Sequence, residues 1–279
     1  MKISVYTFVK NGLDLDFHAV EMIKQHIPYV DEIIVSEGES TDGTYEAIKD
    51  LDPKVKIFRQ AWDPLTSFVN YVEATRVRCT GDWCIKLDCD EFIPEWEWEG
   101  LRTRLAETKH DIHPLHFINF YGNYKVYHKD PRKVHWPMRK WAVHRNQDNM
   151  RCWGDGSNVA IQGDEGSMPD TPVIAECHHF GFVRDAARLR EKWRTQRLRG
   201  QLTAGKSGRP AFFRRMPSFL FDLMPHKWLD PAFVDELAIY EGEHIQMVRD
   251  NPDEFVRDKF AVYDYLVKKS KGASVSAPA

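Results

Sequence analysis

The stretch GDWCIKLDCDEFIP, Gly81 to Pro94, sets a short apolar run against a cluster of acids. Trp83, Ile85 and Leu87 sit among Cys84 and Cys89, the composition of a strand covered on both faces of a parallel sheet. Asp88, Asp90 and Glu91 then fall at its carboxyl end. Ligands of open α/β sheets bind at that end. Closely spaced carboxylates there suit a hard divalent cation such as Mg2+ or Mn2+. By itself, a D-x-D after a strand is equally the composition of a helix cap or a solvated turn.

Working outward, Lys2 to Val9 reads as a first buried strand that ends at Asn11 and Gly12. Phe17, Val20, Ile23 and Ile27 recur at helical spacing until Pro28. Asp31 to Thr44, DEIIVSEGESTDGT, is a second strand running into a turn rich in Gly and Ser. A short helix over Tyr45 to Leu51, a strand over Val55 to Phe58 and a helix over Ser67 to Cys79 lead to the Gly81 segment. Strands alternating with helices at this spacing predict a mostly parallel α/β sheet with helices on both faces. Downstream, the spacing predicts a helix to about Lys109, a strand over Leu115 to Phe120, and a last strand, VIAECHHFGF, over Val173 to Phe182. Between these strands, Tyr121 to Asp170 reads as irregular and aromatic. It is the expected ligand-recognition segment, with Tyr121, Tyr124, Trp136, Trp141 and Trp153 able to stack on a ligand or to pin the loop.

Three segments in order, ISVYTFVKNG from Ile3, EGESTDGT from Glu37 and GDWCIKLDCDEF from Gly81, resemble the GT-A glycosyltransferases, specifically glycosyltransferase family 2. The resemblance covers the first hundred residues well and the rest loosely. It implies a GT-A sheet and a metal-dependent transfer of a sugar from a nucleotide diphosphate donor, most simply a UDP-sugar. The acceptor would be a glycan or lipid-linked saccharide, and the transfer inverting. Asp90 would bind the Mn2+ or Mg2+ that bridges the donor phosphates, and Asp88 the ribose or the metal with its water shell. Glu37, where the family more often has Asp, would contact uracil or ribose. Asp42 either joins the nucleotide-sugar site or caps the following helix. His178 or His179 would complete the metal shell, and strand alternation lets at most one of the two face it. The E-D pair that many inverting members use as base is absent. Asp155, between the glycines of WGDG, is the first candidate for the base, with Glu165 and Glu176 as alternatives. A non-catalytic glycan-binding or scaffolding relative is the competing reading.

The 279 residues, 42% hydrophobic and 29% charged, fit one large domain with an appended element. The expected division is a catalytic domain over 1–182, with its nucleotide-sugar half in 1–100 and its acceptor half in 110–182. A helical extension over 183–270, acidic and helical from Pro231 to about Lys269, and a disordered tail over 271–279 follow. The net charge of -3 hides a basic stretch, since Arg184 to Arg215 holds 11 Lys and Arg against 2 acids. With FFRRMPSFLFDLMPHKWL after it, residues 184–229 suit peripheral contact with an anionic membrane, or a solvated helix packed on the catalytic domain. No nucleic-acid motif accompanies these residues, so nucleic acid is not an expected partner. Five cysteines without C-x-x-C spacing, and the lack of a long apolar run, point to a cytoplasmic protein. No G-x-G-x-x-G follows Val9, which argues against a dehydrogenase or methyltransferase. VKNGLDLD lacks the glycine-rich, Arg-containing loop of a sugar nucleotidyltransferase.

Overall fold

A computed structural model describes residues 1–63, 66–129, 138–185, 187–188 and 236–272. The first half alternates as its hydrophobic periods require: β1 (Ile3–Val9), α1 (Ala19–His26), β2 (Glu32–Glu37), α2 (Thr44–Ile48), β3 (Val55–Arg59), α3 (Phe68–Arg76) and β4 (Trp83–Lys86). A two-residue strand, β5 (Glu91–Phe92), precedes α4 (Glu97–Glu107). The remaining elements are β6 (Ile112–Tyr121), β7 (Asn123–His128), β8 (Arg139–Arg145), β9 (Met150–Trp153), β10 (Asn158–Ile161), β11 (Ala175–Phe182), β12 (Leu237–Ile239), α5 (Gln246–Asp250) and α6 (Ala261–Ser270).

The main sheet runs β12-β7-β6-β8-β4-β1-β2-β3, with β11 beside β6 and β5 beside β11. β3, β2, β1 and β4 are parallel, and their register aligns Val5 with Ile33 and Ile85, and Ile33 with Val55. Period-two alternation sends these residues to one face, where they pack with Met22 and Ile23 of α1 and Trp98, Leu101 and Leu105 of α4. Tyr6, Ile34 and Cys84 point to the other face and meet Val72 of α3 with Met150, Cys152 and Val159 of the β9–β10 hairpin. This is the expected α/β sheet with helices on both faces. The five cysteines are buried thiols without a disulfide.

Two expectations are corrected. Tyr121 to Asp170 is not irregular, because it contributes β7 to β10. NYKVYH and RKWAVHR are alternating strands that pair antiparallel with β6, and Trp141 donates its indole N–H to the Pro169 carbonyl at 2.9 Å, tying the loop to the scaffold. Nor is Pro231 to Lys269 one helical region. Leu237–Ile239 pairs with β7 as a sheet strand, Pro252 opens a 3-10 turn over Pro252–Phe255, and Lys259 and Phe260, with φ of 51° and 60°, interrupt the backbone before α6. Residues 237–272 pack on the sheet. Ile245, Val248 and Phe255 join the main core, and Arg257 grips Asp16 through two 2.8 Å hydrogen bonds. Trp136, the basic helix expected to Gly200 beyond Arg188, nearly all of the expected membrane segment 184–229, and the tail from residue 273 lie outside the described residues. Among the described residues no helix is long and apolar enough to cross a membrane.

Candidate active site

The acids of the opening stretch leave β4 at the edge of the parallel half, and β11 meets them there. β5 pairs antiparallel with β11, placing Glu91 opposite His179, and the Phe180 N–H donates to the Asp90 carbonyl at 2.8 Å. Strand alternation then separates the two histidines. His179 turns toward the acids, its Nε2 being 3.7 Å from Asp90 Oδ1. His178 turns to the opposite side, where its Nε2 meets Glu176 Oε1 at 3.2 Å and the Tyr240 hydroxyl at 3.3 Å.

His179 Nδ1 faces Asn119 Oδ1 at 2.6 Å, which orients the ring with Nε2 toward Asp90. Asp90 Oδ1 and His179 Nε2 are 3.7 Å apart, a separation that two ligands of a small cation can span. Gly181 keeps the space open. A Cβ there would collide with the His179 ring and lie 3.1 Å from Asp90 Oδ2. Ligand atoms of Asp90, Glu91 and His179 all lie within 4.8 Å of one another. Oxygen donors with one imidazole fit a divalent cation of the Mg2+ or Mn2+ type, and an imidazole oriented through its other nitrogen is the usual support of a metal ligand.

Among the described residues, Arg184, Lys140 and Lys86 face the acids, and burial pushes Glu91 up to about 7. Arg184 donates from Nη2 to Asp90 Oδ2 at 2.5 Å, while Lys140 contacts Glu91 and stands 3.3 Å from Asp88. Lys86, buried at the end of β4, contacts Asp88. Burial works against the charged form of Asp88, but Lys86 and Lys140 hold its carboxyl well below the usual carboxylate range. Burial likewise opposes the Lys140 ammonium, and Glu91 and Asp88 overcome it and raise its pKa. Asp88 therefore lies outside the Asp90–His179 cluster as an ionised, lysine-paired acid whose side chain is 30% exposed, the most open of the three.

Glu37 is fully buried at the end of β2. Its oxygens accept from the Ser40 and Glu39 N–H groups at 2.6 and 3.1 Å and from Arg59 at 2.8 Å. Burial disfavours its charge, yet these donors lower its pKa. The carboxylate holds its own turn through these contacts. Asp42 closes the turn ahead of α2, whose N-cap is Gly43: Oδ1 accepts from the Thr44 N–H at 3.0 Å, and Oδ2 accepts from the Asp14 N–H at 2.8 Å, binding the β1–α1 loop to the same turn. Asp155 is exposed at the β9–β10 turn, where its Oδ1 accepts from the Ser157 N–H at 3.1 Å, and its charge reaches Lys140 and helps to keep that ammonium protonated. Glu165 accepts from the Gly163 N–H on an exposed loop, and Glu176 pairs with His178. Sequence reasoning missed Lys86, Asn119, Lys140, Gly181 and Arg184. The only signal was the Gly and Arg of HHFGFVR, three and six residues after the first histidine.

The profile of Glycosyl transferase family 2 matches residues 18–166, more than half of the chain. The chain belongs to glycosyl transferase family 2. The match takes in the donor-side turn, the acidic cluster and the β9–β10 hairpin. An uncharacterized glycosyltransferase of Rickettsia felis is 31% identical over 92 residues, 33% of this chain and 30% of its own. A second, from Rickettsia typhi, is 31% identical over 94 residues, 34% of this chain and again 30% of its own. The alignments thus span under a third of the length of these relatives. Among solved structures, S. aureus TarS 1–349 aligns at 12% identity with a TM-score of 0.42, over 98% of this chain and 92% of that one. Glucosyl-3-phosphoglycerate synthase from Mycobacterium tuberculosis, in complex with Mn2+, UDP and glucosyl-3-phosphoglycerate, aligns at 18% identity with a TM-score of 0.31, over 43% of this chain and 44% of that one.

Proposed function

We propose that this family 2 chain transfers a sugar from a nucleoside diphosphate donor, UDP-sugar first among them, to a hydroxyl of a glycan or lipid-linked saccharide, with inversion and with Mn2+ or Mg2+ bound. The observation that carries the reading is the convergence of Asp90, Glu91 and His179, whose ligand atoms lie within 4.8 Å of one another beside Gly181. Asp90 and His179 would hold the cation, with Glu91 beside them, and the bound ion supplies Lewis acidity toward the departing diphosphate. Lys86 and Lys140 keep Asp88 ionised, and at 30% exposure its carboxylate is available to a ribose hydroxyl or to the water shell of the ion. Glu37 and Asp42 act through the turn they hold, fixing the wall against which the nucleoside lies. Asp155 is the base of this proposal. A general base must come within hydrogen-bond reach of the acceptor hydroxyl, and a solvent-exposed carboxylate at the tip of a hairpin, felt electrostatically at Lys140, meets an acceptor arriving from solution.

The first experiment is a thermal-shift panel of UDP, GDP, dTDP and CMP with and without Mn2+, since a ligand raises the melting temperature only by preferring the native state. Stabilisation by one nucleotide that requires metal is the expected result. Asp90→Asn should abolish that shift and lower turnover by about 10²-fold or more, with the circular dichroism of the fold retained. Turnover equal to the unsubstituted chain would remove Asp90 from the site. No shift with any nucleotide would favour a non-catalytic relative.

A further inference from the structure

The loop between β1 and α1 is held from two sides. Toward the turn between β2 and α2, the Asn11 N–H donates to Ser40 Oγ at 2.8 Å, the Thr41 N–H to Asn11 Oδ1 at 3.0 Å and the Asp14 N–H to Asp42 Oδ2 at 2.8 Å. A shift of the loop therefore carries the turn with it. On the opposite side the Asp16 carboxylate reaches two later segments. Arg257 donates from Nε to Oδ2 and from Nη2 to Oδ1, each at 2.8 Å, and the Asp185 N–H donates to Oδ2 at 2.8 Å. Asn11 and Asp16 have φ of 48° and 53°, so the loop opens and closes through left-handed backbone that these contacts hold in place.

Arg257 is itself fixed. Its N–H donates to the Gly122 carbonyl at 2.8 Å, and the adjoining Asp258 carboxylate accepts the Asn123 side-chain amide at 2.9 and 3.0 Å, which seats this part of the chain on the turn between β6 and β7. Nη1 donates to the Glu254 and Val256 carbonyls at 2.8 and 3.2 Å, so every arm of the guanidinium is engaged. The side chains of Arg257 and Asp16 are 20% and 21% exposed, and a two-pronged pair this sheltered holds its geometry where an ion pair in open water would not. A continuous run of directed contacts thus leads from the sheet, through Arg257, Asp16 and the β1–α1 loop, to the turn that Glu37 holds.

We propose that Arg257 is a positioning residue for nucleotide binding: across 241 residues of sequence it fixes the β1–α1 loop, and through it the β2–α2 turn, in the arrangement that receives the nucleoside. Without the pair the loop samples other arrangements, and nucleotide affinity falls in proportion to the fraction of chains that keep the receiving one. The inference rests on the reading of that turn as the wall of the nucleoside site, and it makes a residue of the C-terminal segment a determinant of donor affinity.

The test is calorimetric titration of the full chain at saturating Mn2+, well below the melting temperature of each variant, with UDP or whichever nucleotide of the thermal-shift panel stabilises the chain. Arg257→Gln should weaken nucleotide binding about tenfold. Asp16→Asn, which keeps an acceptor for the Asp185 N–H, should do so by a similar factor. Because one pair carries both effects, the double variant should stay within about threefold of the weaker single variant, whereas independent effects would multiply to about a hundredfold. Val262→Ala controls for mere destabilisation, since Val262 is buried in the same segment with Val126 and Leu237. It should lower the melting temperature and leave nucleotide affinity within about twofold. Affinity of Arg257→Gln within about twofold of the unsubstituted chain overturns the proposal, as does an equal loss in Val262→Ala or a hundredfold loss in the double variant. Should Arg257→Gln not fold, Asp16→Asn decides by the same twofold limit. If no nucleotide of the panel binds the unsubstituted chain, the nucleoside-site reading fails and takes this proposal with it. Binding that Arg257→Gln and Asp16→Asn leave unchanged removes the role of the pair alone.

Discussion

Gly181 shows how much of the site depends on one missing methyl group. Its φ is not in the left-handed region, so alanine would bring no backbone strain, only a Cβ that overlaps the His179 imidazole and crowds Asp90. Relieving that overlap means swinging His179 off Asn119 and away from Asp90. Gly181→Ala should therefore fold, at a cost of about 1–3 kcal/mol for overpacking, and should lose metal-dependent stabilisation by nucleotide. Gly154 is the contrasting control. At φ +69° with nothing within 4 Å of a Cβ, its alanine variant should lose about 1–2 kcal/mol to backbone strain and keep nucleotide binding. Calorimetric titration of both variants with UDP and Mn2+ checks this, and undiminished binding in Gly181→Ala would take the gap out of the site. The acids were legible in the sequence because the D-x-D comes after two other segments, ISVYTFVKNG and EGESTDGT, in the order of the family it resembles. Gly181, Asn119 and Lys140 were not, since their roles exist only once β11 lies against β5 and β6 and β8 lies beside β4, and those neighbours are 50 to 90 residues apart in the chain.

At the scale of elements, legibility follows the strength of the period. β1, β2, β4 and α1 are continuous apolar runs or clear helical stripes, and their expected and observed bounds differ by a residue or two. β7 to β10 mix Arg, Lys, His and Asn with single apolar residues, because each strand is covered on one side only or lies in a hairpin, and such segments look like loops until their partners are known. The C-terminal segment misled in the opposite way. Its acidic, helix-favouring composition reads as an appended helical element, yet Phe255 is fully buried, stacked on His18 with centroids 4.7 Å apart and edge-on to Phe180 at 4.7 Å. Phe180 lies in β11 beside His179, the candidate cation ligand, so this segment supports the back of the site. Phe255→Ala should cost about 3–5 kcal/mol in the single cooperative urea transition of the chain. A separate early transition, with the main one unmoved, would instead mean that residues 237–272 unfold independently of the sheet.

For the whole molecule the distribution of buried histidines sets the response to acid. His26 accepts the Ile93 N–H at Nε2, 3.1 Å away, and its Nδ1 lies 2.7 Å from the Met22 carbonyl, so it is neutral with Nδ1 protonated. His144 has the same arrangement, with its Nδ1 at 2.8 Å from the Arg145 carbonyl and its Nε2 at 3.1 Å from the Tyr6 hydroxyl. Burial pushes His26, His128 and His144 down to about 4. A second proton on His26 would put two donors, its own Nε2–H and the Ile93 N–H, face to face. Because these pKa values are depressed in the folded chain, the unfolded chain binds protons first, and its histidines do so from about pH 6.5. Stability is therefore fully present above that pH and is lost as pH falls toward 4, at up to about 1.4 kcal/mol per pH unit for each histidine, or about 4 kcal/mol per unit for the three together. Glu32, held near 2 against the cost of its burial by Lys56, Ser4 and Thr80, loses its contribution only as pH falls from about 4.5 through 2, below the histidine window. Urea unfolding at pH 7, 6 and 5 should show the free energy falling steeply between 6 and 5, and acid unfolding should be complete before Glu32 titrates. A flat profile from pH 7 to 5 would mean that these histidines become protonated without loss of the fold, and would contradict the neutral hydrogen-bonded roles of His26 and His144.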